Sequence, residues 1–594
     1  MSQRVSRTCC TPESPSFEDN IVSLLKHVSI LGMLLSLVLN MSSSSHAQQA
    51  SYRPDFQMKD ISSSVGIDWE HTTGQSGMGY LVEGVTTGLA SFDYDLDGFI
   101  DVYLLTGRSL RDPTKDANRD NALYRNRGGF QFSNVTGPSL TSDKSFGLGV
   151  VVADYNQDGF PDLYLSNYGP NRLLMNAGDG TFVDMTEESG TDNGKKFGGG
   201  CAFCDFNSDG ILDLYAGNYV DFTLENAVFI ERNGKIFHSG PVYYKSVPDT
   251  LYFGNGDGTF TDVSIATGIG KHAGPTMGLI ATDLTGDGFP DVYTCNDGKA
   301  NFLFVNDGKG NFSEEALIAG LAFDFRGTAN ASMGVDIGDY DGDGLFDLIT
   351  TNYQNELPVL YRNLGEGVFE DASTSARVAE AIIPHVTWGT SFMDFDNDGQ
   401  LDLFIAAGHF DDAEISDDRT AKKVRDFLMI NRGGKYADVS TQVGLTAVES
   451  SRGAVFEDFD NDGDIDIVVL NANAKPTVYR NDSESTHHYV ALRLVDTRGN
   501  RDAIGARVHV EHKVLTKDFV VISGRGYQSH YGDRLHIGLN QAGESARSRP
   551  GLGTTGINIT VTWADGESET FEVAIDQINL VLRGSQSQVL PLNP

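Results

Sequence analysis

The sequence predicts an all-β chain, a seven-bladed β-propeller followed by a small C-terminal β-sandwich-like domain, and three observations carry that reading. One nine-residue acidic loop pattern occurs seven times, short apolar strands flank every copy, and after the last copy the pattern gives way to a different set of alternating strands.

The pattern D-x-[DNT]-x-D-G-x-x-D begins at Asp93, Asp154, Asp205, Asp283, Asp339, Asp394 and Asp458. A short apolar strand precedes each copy, as Gly88–Phe92 does the first, and another follows, as Val102–Leu105 does. Then come a segment such as Leu173–Asn176, a glycine turn such as Gly178–Gly180 and a last strand such as Phe182–Thr186, so each unit supplies four strands. Segments such as Leu403–Ala407 and Ile467–Leu470 are apolar on both faces, which strands require when their sheet is covered on both sides. The last strand of the unit is missing after Asn481, and an extra copy, Phe56–Ile61, precedes the first loop. The N-terminal segment is therefore expected to complete the seventh sheet and leave no free edge.

Oxygen-bearing side chains occupy positions 1, 3, 5 and 9 of every loop. They are Asp93, Asp95, Asp97 and Asp101; Asp154, Asn156, Asp158 and Asp162; Asp205, Asn207, Asp209 and Asp213; Asp283, Thr285, Asp287 and Asp291. The last three loops are all acid: Asp339, Asp341, Asp343 and Asp347; Asp394, Asp396, Asp398 and Asp402; Asp458, Asp460, Asp462 and Asp466. With a glycine at position 6 for the sharp turn and a backbone carbonyl at position 7, each loop offers a cage of about six to seven oxygens, which suits Ca²⁺ better than the octahedral, water-retaining Mg²⁺. Up to seven Ca²⁺ sites are expected, the fourth weakest because Thr285 replaces an acid. The plainer alternative is a set of Asx turns that close on their own backbone without metal.

These loops and their flanking Φ-x-N-x-G-x-G-x-F turns resemble the FG-GAP/VCBS repeats of integrin α-type propellers over about residues 55–482. The resemblance implies calcium in the hairpin between the first two strands of each blade. From His487 the strands Tyr489–Val495, Arg507–Val510, Phe519–Ile522, Ile557–Trp563, Thr570–Val573 and Ile578–Leu582 are expected. The segments Asn500–Val508, Ser523–Ser529 and Leu535–Leu539 closely resemble the ASPIC/UnbV domain, and the order of propeller then ASPIC/UnbV is similar to the cartilage acidic protein family. Departures are Trp563-Ala564-Asp565-Gly566, without the family's proline, and the insertion Ala542–Gly556. The domain reading is 1–47 signal peptide, 48–486 propeller, 487–584 ASPIC/UnbV domain and 585–594 tail.

Arg4, Arg7 and Lys26 precede the apolar run Val28–Leu39, and a polar stretch ends at Ala47. That pattern predicts export, to the periplasm, cell surface or medium, with no transmembrane anchor after cleavage. Cys9 and Cys10 would leave with the signal; Cys201, Cys204 and Cys295 are an odd number and read as packing residues. A net charge of -38, from 44 Lys+Arg and 82 Asp+Glu, excludes nonspecific binding to nucleic acid or anionic lipid. The loops hold 25 of those 82 acids at their four ligand positions, and seven Ca²⁺ would bring -38 to -24.

Loops at opposite ends of a blade differ in composition. An asparagine recurs five residues after the last loop aspartate, at Asn167, Asn218, Asn296, Asn352 and Asn471, followed by Tyr168, Tyr219 and Tyr353 in three copies. With connections that add His71, His385 and Arg452, and overhanging insertions at 108–121, 220–248 and 409–425, this end is expected to bind an extracellular glycan or protein partner. The other reading of the asparagines is that they close turns while the tyrosines pack the channel wall. No G-x-S-x-G, H-E-x-x-H, phosphate loop or dinucleotide motif occurs. The enzyme alternative, a hydrolase or lyase near the axis, rests on His385 and His409 meeting Asp411 or Asp412.

Overall fold

The structure is a computed structural model, and it describes residues 54–590 apart from 86, 113, 117–118, 233–234, 379–381, 411–420, 484–485, 513–514 and 541–555. The proposed signal peptide with Cys9 and Cys10, and Asp411 and Asp412, lie outside the described residues. No helix among the described residues is long and apolar enough to cross a membrane.

The chain is all-β. Before residue 484 the described residues form seven four-stranded antiparallel sheets and one inserted hairpin, Phe229–Arg232 with Lys235–His238. The second sheet is representative: Phe146–Ala153, Asp162–Tyr168, Arg172–Asn176 and Phe182–Asp184 pair in chain order. The seventh, Ser451–Glu457, Asp466–Asn471 and Thr477–Ser483, takes its fourth strand from the N-terminus, with Phe56 opposite Ser483 and Asp60 opposite Tyr479. The first strand of each sheet packs on the first strand of the next, and the first sheet's Leu89–Phe92 touches both Phe146–Ala153 and Ser451–Glu457.

A glycine five residues before each loop makes this packing possible: Gly88, Gly149, Gly200, Gly278, Gly334, Gly389 and Gly453. A Cβ on Gly278 would lie 2.3 Å from Met333 O, on Gly334 2.1 Å from Trp388 O and on Gly389 2.8 Å from Arg452 O. Each inner strand thus touches its neighbour's backbone. Gly334→Ala is expected to cost about 1–3 kcal/mol, because added volume in a packed interior forces the backbone apart; a midpoint unchanged in denaturant melts would contradict this.

A second cross-link comes from the asparagine that ends the third strand. Asn176 Nδ2 donates to Tyr94 O at 2.8 Å, Asn306 to Phe206 O at 2.9 Å, Asn431 to Tyr340 O at 2.7 Å and Asn481 to Phe395 O at 2.9 Å. In each case the acceptor is position 2 of the preceding sheet's acidic loop.

After residue 487 two further four-stranded sheets face each other. One runs Leu535–Asn540, His488–Val495, Ile578–Leu582, Gln588–Val589, with its central pair parallel; the other runs Leu515–Val520, Arg507–His512, Gly556–Thr562, Ser568–Ala574. Val490, Leu492, Val508, Val510, Ile559, Val561 and Trp563 fill the space between them. The expected strand Phe519–Ile522 sits earlier, at Leu515–Val520, because Gly505 and Ala506 pair with Val521 and end the ladder there.

The segment Ser523–Asp533 leaves this second domain and runs among the inner strands of the repeats. Ser523 Oγ donates to Val152 O at 2.9 Å, Val150 N to Gln528 O at 3.2 Å, and Ser91 N to His530 O at 2.9 Å. Gly526 exchanges two backbone bonds with Val335, Tyr531 Oη donates to Thr390 O at 3.2 Å, and Gly532 N to Glu457 Oε1 at 2.7 Å. Arg525 grips the buried Asp336 with two bonds of 2.8 Å. From the other end Tyr80, Leu81, Val82 and Val85 join Met277, Met333, Trp388 and Tyr527 in one apolar cluster. Described chain thus lies among the inner strands from both ends.

Cys201, Cys204 and Cys295 are free and buried, as the packing reading expects. Burial pushes the Cys201 thiol up to about 12 and raises those of Cys204 and Cys295 as well. Dithiothreitol is expected to leave the melting midpoint unchanged; a shift would reveal a disulfide.

Candidate functional site

The loop residues first organise their own turn. The position-1 carboxylate accepts the amides of positions 5 and 6: Asp93 takes Asp97 N at 3.0 Å and Gly98 N at 2.9 Å, and Asp394 takes Asp398 N at 3.0 Å and Gly399 N at 2.7 Å. Position 9 is buried and ties the turn to the sheet, as Asp101 does by accepting Tyr94 N at 3.1 Å and Asn126 N at 2.7 Å. Glycine at position 6 is left-handed throughout, for example φ 92° at Gly98. Position 4 is left-handed too, at Leu96, Gln157, Ser208, Gly286, Gly342, Asn397 and Asn461, a constraint the motif alone did not reveal.

What remains after this turn chemistry is directed inward. In four loops the carboxylate oxygens of positions 1, 3 and 9 converge within 4.8 Å of one another: Asp93, Asp95 and Asp101; Asp339, Asp341 and Asp347; Asp394, Asp396 and Asp402; Asp458, Asp460 and Asp466. Asp95 Oδ1, Asp341 Oδ1, Asp460 Oδ1, Asp162 Oδ2 and Thr285 Oγ1 are buried without a hydrogen-bond partner. Burial, with the neighbouring acids adding, raises Asp93 to about 6 and Asp154 to about 7. Burial likewise lifts Asp213 and Asp347 to about 8. Buried acceptors crowded without a donor are what an oxygen-seeking cation requires, so the residues present fit Ca²⁺.

The all-acid loops each face an arginine that the loop motif did not predict. Arg125 pairs with Asp95 and Asp97, both at 2.8 Å; Arg362 with Asp341 at 2.6 Å and Asp343 at 3.1 Å; Arg432 with Asp396 at 3.3 Å and Asp398 at 2.7 Å. Arg480 acts on Asp460 and Asp462 through its charge. The loops with Asn156, Asn207 or Thr285 at position 3 have Met175, Phe253 or Val305 at the equivalent place. At their ligand positions, four acids with a third-strand arginine or three acids without one leave the same formal charge, and the seventh loop adds one more acid, Asp464. The signal was in the sequence, as an arginine next to the third-strand asparagine.

The second domain is seated on these loops. Arg534 donates to Gly98 O at 2.7 Å and Asn461 Oδ1 at 2.8 Å, Arg507 to Asp283 Oδ2 at 2.7 Å, and Lys517 to Asp339 O at 3.2 Å. His536 Nε2 lies 2.7 Å from Asn397 Oδ1, Asp502 Oδ2 accepts Asp154 N at 2.6 Å, and a Cβ on Gly499 would be 2.7 Å from Gly210 O. All seven loops are touched. The second domain thus brings Arg534, Arg507 and Lys517 to the loop end, cations that the sequence reading did not place there.

At the opposite end the structure corrects the proposed asparagine ring. Asn167, Asn218, Asn296, Asn352 and Asn471 are buried; four close their own turns, as Asn167 Nδ2 does on Pro170 O at 3.0 Å and Asn296 on Ala300 O at 2.8 Å, and Asn218 Nδ2 spans its long insertion to Pro248 O at 2.8 Å. Tyr219 is buried and donates to Asp297 at 2.5 Å, while Tyr168 and Tyr353 are half-buried and packed on Phe222 and Phe410. A short polar side chain beside a tight turn bonds its own backbone first, so the ring is a turn-closing device. His71 and Arg452, expected on the rim, are buried as well; burial first, then the Arg452 charge, pushes His71 down to about 3. His385 packs against Phe427, and His409 Nδ1 accepts Phe410 N at 2.7 Å.

The FG-GAP-like repeat family matches residues 93–165, 154–216, 242–294, 283–350 and 339–405, which takes in the first six loops, and the ASPIC and UnbV family matches 496–588. Cartilage acidic protein 1 of Homo sapiens is 24% identical over 462 residues, covering 73% of this chain and 62% of that protein. The Xenopus tropicalis protein of the same name is 30% identical over 243 residues, covering 39% of this chain and 33% of that one. The chain thus spans about a third to three fifths of the length of these curated relatives. A solved Agrocybe aegerita structure, described as recognising non-reducing terminal N-acetylglucosamine, is 16% identical and covers 66% of this chain and 87% of its own, at a TM-score of 0.35 that carries no argument.

Proposed function

Because the chain is an FG-GAP-like repeat protein with an ASPIC and UnbV domain and a relative of the cartilage acidic proteins, we propose that it is an exported calcium-binding protein whose repeats close as a seven-bladed propeller and act as an extracellular binding or adhesion module for a glycan or protein partner. The observation that carries this reading is the seat of the second domain. It covers the acidic loops at one end of the sheets and threads Ser523–Asp533 between the inner strands, so the end that carries the insertions is the one offered to a partner.

Asp95, Asp341, Asp396 and Asp460, with the position-1 and position-9 acids of the same loops, would hold the metal. Bound there, Ca²⁺ supplies positive charge that neutralises crowded carboxylates. The chain's own residues hold each loop in its left-handed turn and the second domain's cations against the loop backbone. In loops two, three and four, Asn156, Asn207 and Thr285 would stand in for the missing acid.

The test is an array of immobilised glycans and extracellular-matrix proteins probed with the full chain, with and without EGTA. Saturable binding that chelation weakens is expected. Binding to nothing on the array in either condition would remove the module reading.

A further inference from the structure

We infer that a cavity on the end away from the acidic loops is a carbohydrate site that takes a sugar ring, an assignment that rests on the binding-module reading and gives it a location. The cavity is about 340 Å³, at the small end of the roughly 300–1,000 Å³ of small-molecule sites and of a size for one or two pyranose rings. Three distant pieces of chain build it: residues 73–84 before the first sheet, the inserted hairpin through Ile236 and His238, and Phe410 after the sixth sheet's second strand.

Glycines let these pieces meet. Gly79 is left-handed at φ 66°, and a Cβ there would lie 3.0 Å from His238 N. A Cβ on Gly84 would lie 3.3 Å from both the His238 ring and the Phe410 ring. His238 stands edge-on to Phe410 with ring centroids 4.4 Å apart, so the imidazole is held against the aromatic wall. Glu83 Oε1 accepts Ser76 N and Oε2 accepts Ser76 Oγ, both at 2.8 Å, which pins the lip of the cavity as a fixed structure.

The lining chemistry selects the ligand. Phe410 and the 43% exposed Ile236 give an apolar wall. Facing the same space are a carboxylate at Glu83, an imidazole at His238 and the phenol of Tyr80. Tyr80 is 1% exposed, and its hydroxyl is a buried polar group with no hydrogen-bond partner among the described residues, next to the cavity that its side chain helps to line. Among the described residues no lysine or arginine lines the cavity itself, and the nearby cations are engaged, Arg111 over the Tyr80 ring at 5.4 Å and Lys115 Nζ on Gln75 O at 3.0 Å. A pyranose combines an apolar C–H face with a ring of hydroxyls that both donate and accept, and this wall and these polar groups complement both aspects.

The second domain has a part in the site. Behind Phe410 stands Trp388, with ring centroids 5.5 Å apart, and Trp388 rests on Tyr527 at 5.1 Å, the residue that the inserted segment carries furthest. The indole is therefore a built-in reporter of events at the Phe410 wall.

The experiment titrates the full-length protein with cellobiose, chitobiose, N-acetyllactosamine and digalacturonic acid, following tryptophan emission and ligand-observed NMR. Phe410→Ala removes the wall, and Tyr80→Phe removes one hydroxyl while keeping the ring. At least one sugar is expected to saturate the wild type, and each variant, with its melting midpoint preserved, to bind about tenfold more weakly, the effect of one lost hydrogen bond or wall contact. A wild type that none of the four sugars saturates overturns the carbohydrate assignment, and so does affinity unchanged in both folded variants. In either case, glycan or protein binding on the array leaves the module reading standing, so the two failures are told apart.

Discussion

Dialysed free of divalent metal, the protein is expected to unfold at a midpoint about 10–20 °C below that of its Ca²⁺-loaded form. A ligand that binds only the folded state at about 100 times its dissociation constant adds about 2.7 kcal/mol per site. Unfolding entropy of about 2.1 cal/mol/K per residue makes each degree worth about 1 kcal/mol for a chain of this size. Four filled all-aspartate loops then give about 10 °C, and seven filled loops nearer 20 °C. Calorimetry in excess EGTA against millimolar Ca²⁺ measures the shift, and elemental analysis separates four ions from seven. An unchanged midpoint would reduce the loops to Asx turns. The metal-free form carries its own signature in pH. Asp93, Asp154, Asp213 and Asp347 are raised in the folded state to between about 6 and about 8, from 3.8. The folded state then binds more protons than the unfolded one across roughly pH 4–8, so its stability is greatest below the unfolded value and declines as pH rises through the folded ones. Metal-free protein should therefore melt higher at pH 5 than at pH 8. Loaded protein should show the reverse, because protons displace the ion.

The repeats were legible because their chemistry is local. Position 1 of each loop bonds positions 5 and 6, the two strands it joins are its immediate neighbours, and a reader of nine residues sees the whole device. The N-terminal strand was legible for a related reason, since a unit lacked one member and a spare lay at the other end. Features that depend on the neighbouring sheet left marks without meaning. The glycine five residues before each loop and the asparagine after the third strand recur visibly, yet only the approach of Met333 O to Gly278, or of Asn431 Nδ2 to Tyr340 O, says what they do. The asparagine ring was misread for the opposite reason: its pattern is as regular, but its hydrogen bonds close on the same turn and carry the side chains inward. Least legible was Ser523–Asp533. It has no periodicity, and it is held largely by main-chain groups of strands dozens to hundreds of residues away, so its place among the inner strands has no counterpart in composition or spacing.

That segment should have one residue on which its seating depends. Arg525 is 10% exposed and lies against Asp336, which is fully buried, with Nη2 2.7 Å from Oδ1 and two charge-assisted hydrogen bonds of 2.8 Å. The guanidinium also stacks 4.7 Å from the Tyr531 ring, so it is held on two sides. Asp336 completes its bonding by accepting Phe392 N at 2.8 Å, which links the fifth and sixth sheets through the same carboxylate. Deleting either partner leaves the other charge buried and uncompensated, a loss of about 3–5 kcal/mol. Arg525→Ala and Asp336→Ala are each expected to lower the melting midpoint by about 3–5 °C. They should also make the full chain more sensitive to limited proteolysis. Because a buried ion pair is only marginally better than an apolar pair of similar volume, the double variant Arg525→Met with Asp336→Leu should recover most of the loss. Single variants that melt within a degree of the wild type and resist protease as well would show that the backbone bonds of Gly526, His530 and Gly532 seat the segment unaided. Recovery in the double variant would instead assign the pair the task of choosing the seat: Asp336 lies on the inner strand of the fifth sheet, and a lone buried carboxylate there accepts only a segment that arrives with a cation at its tip.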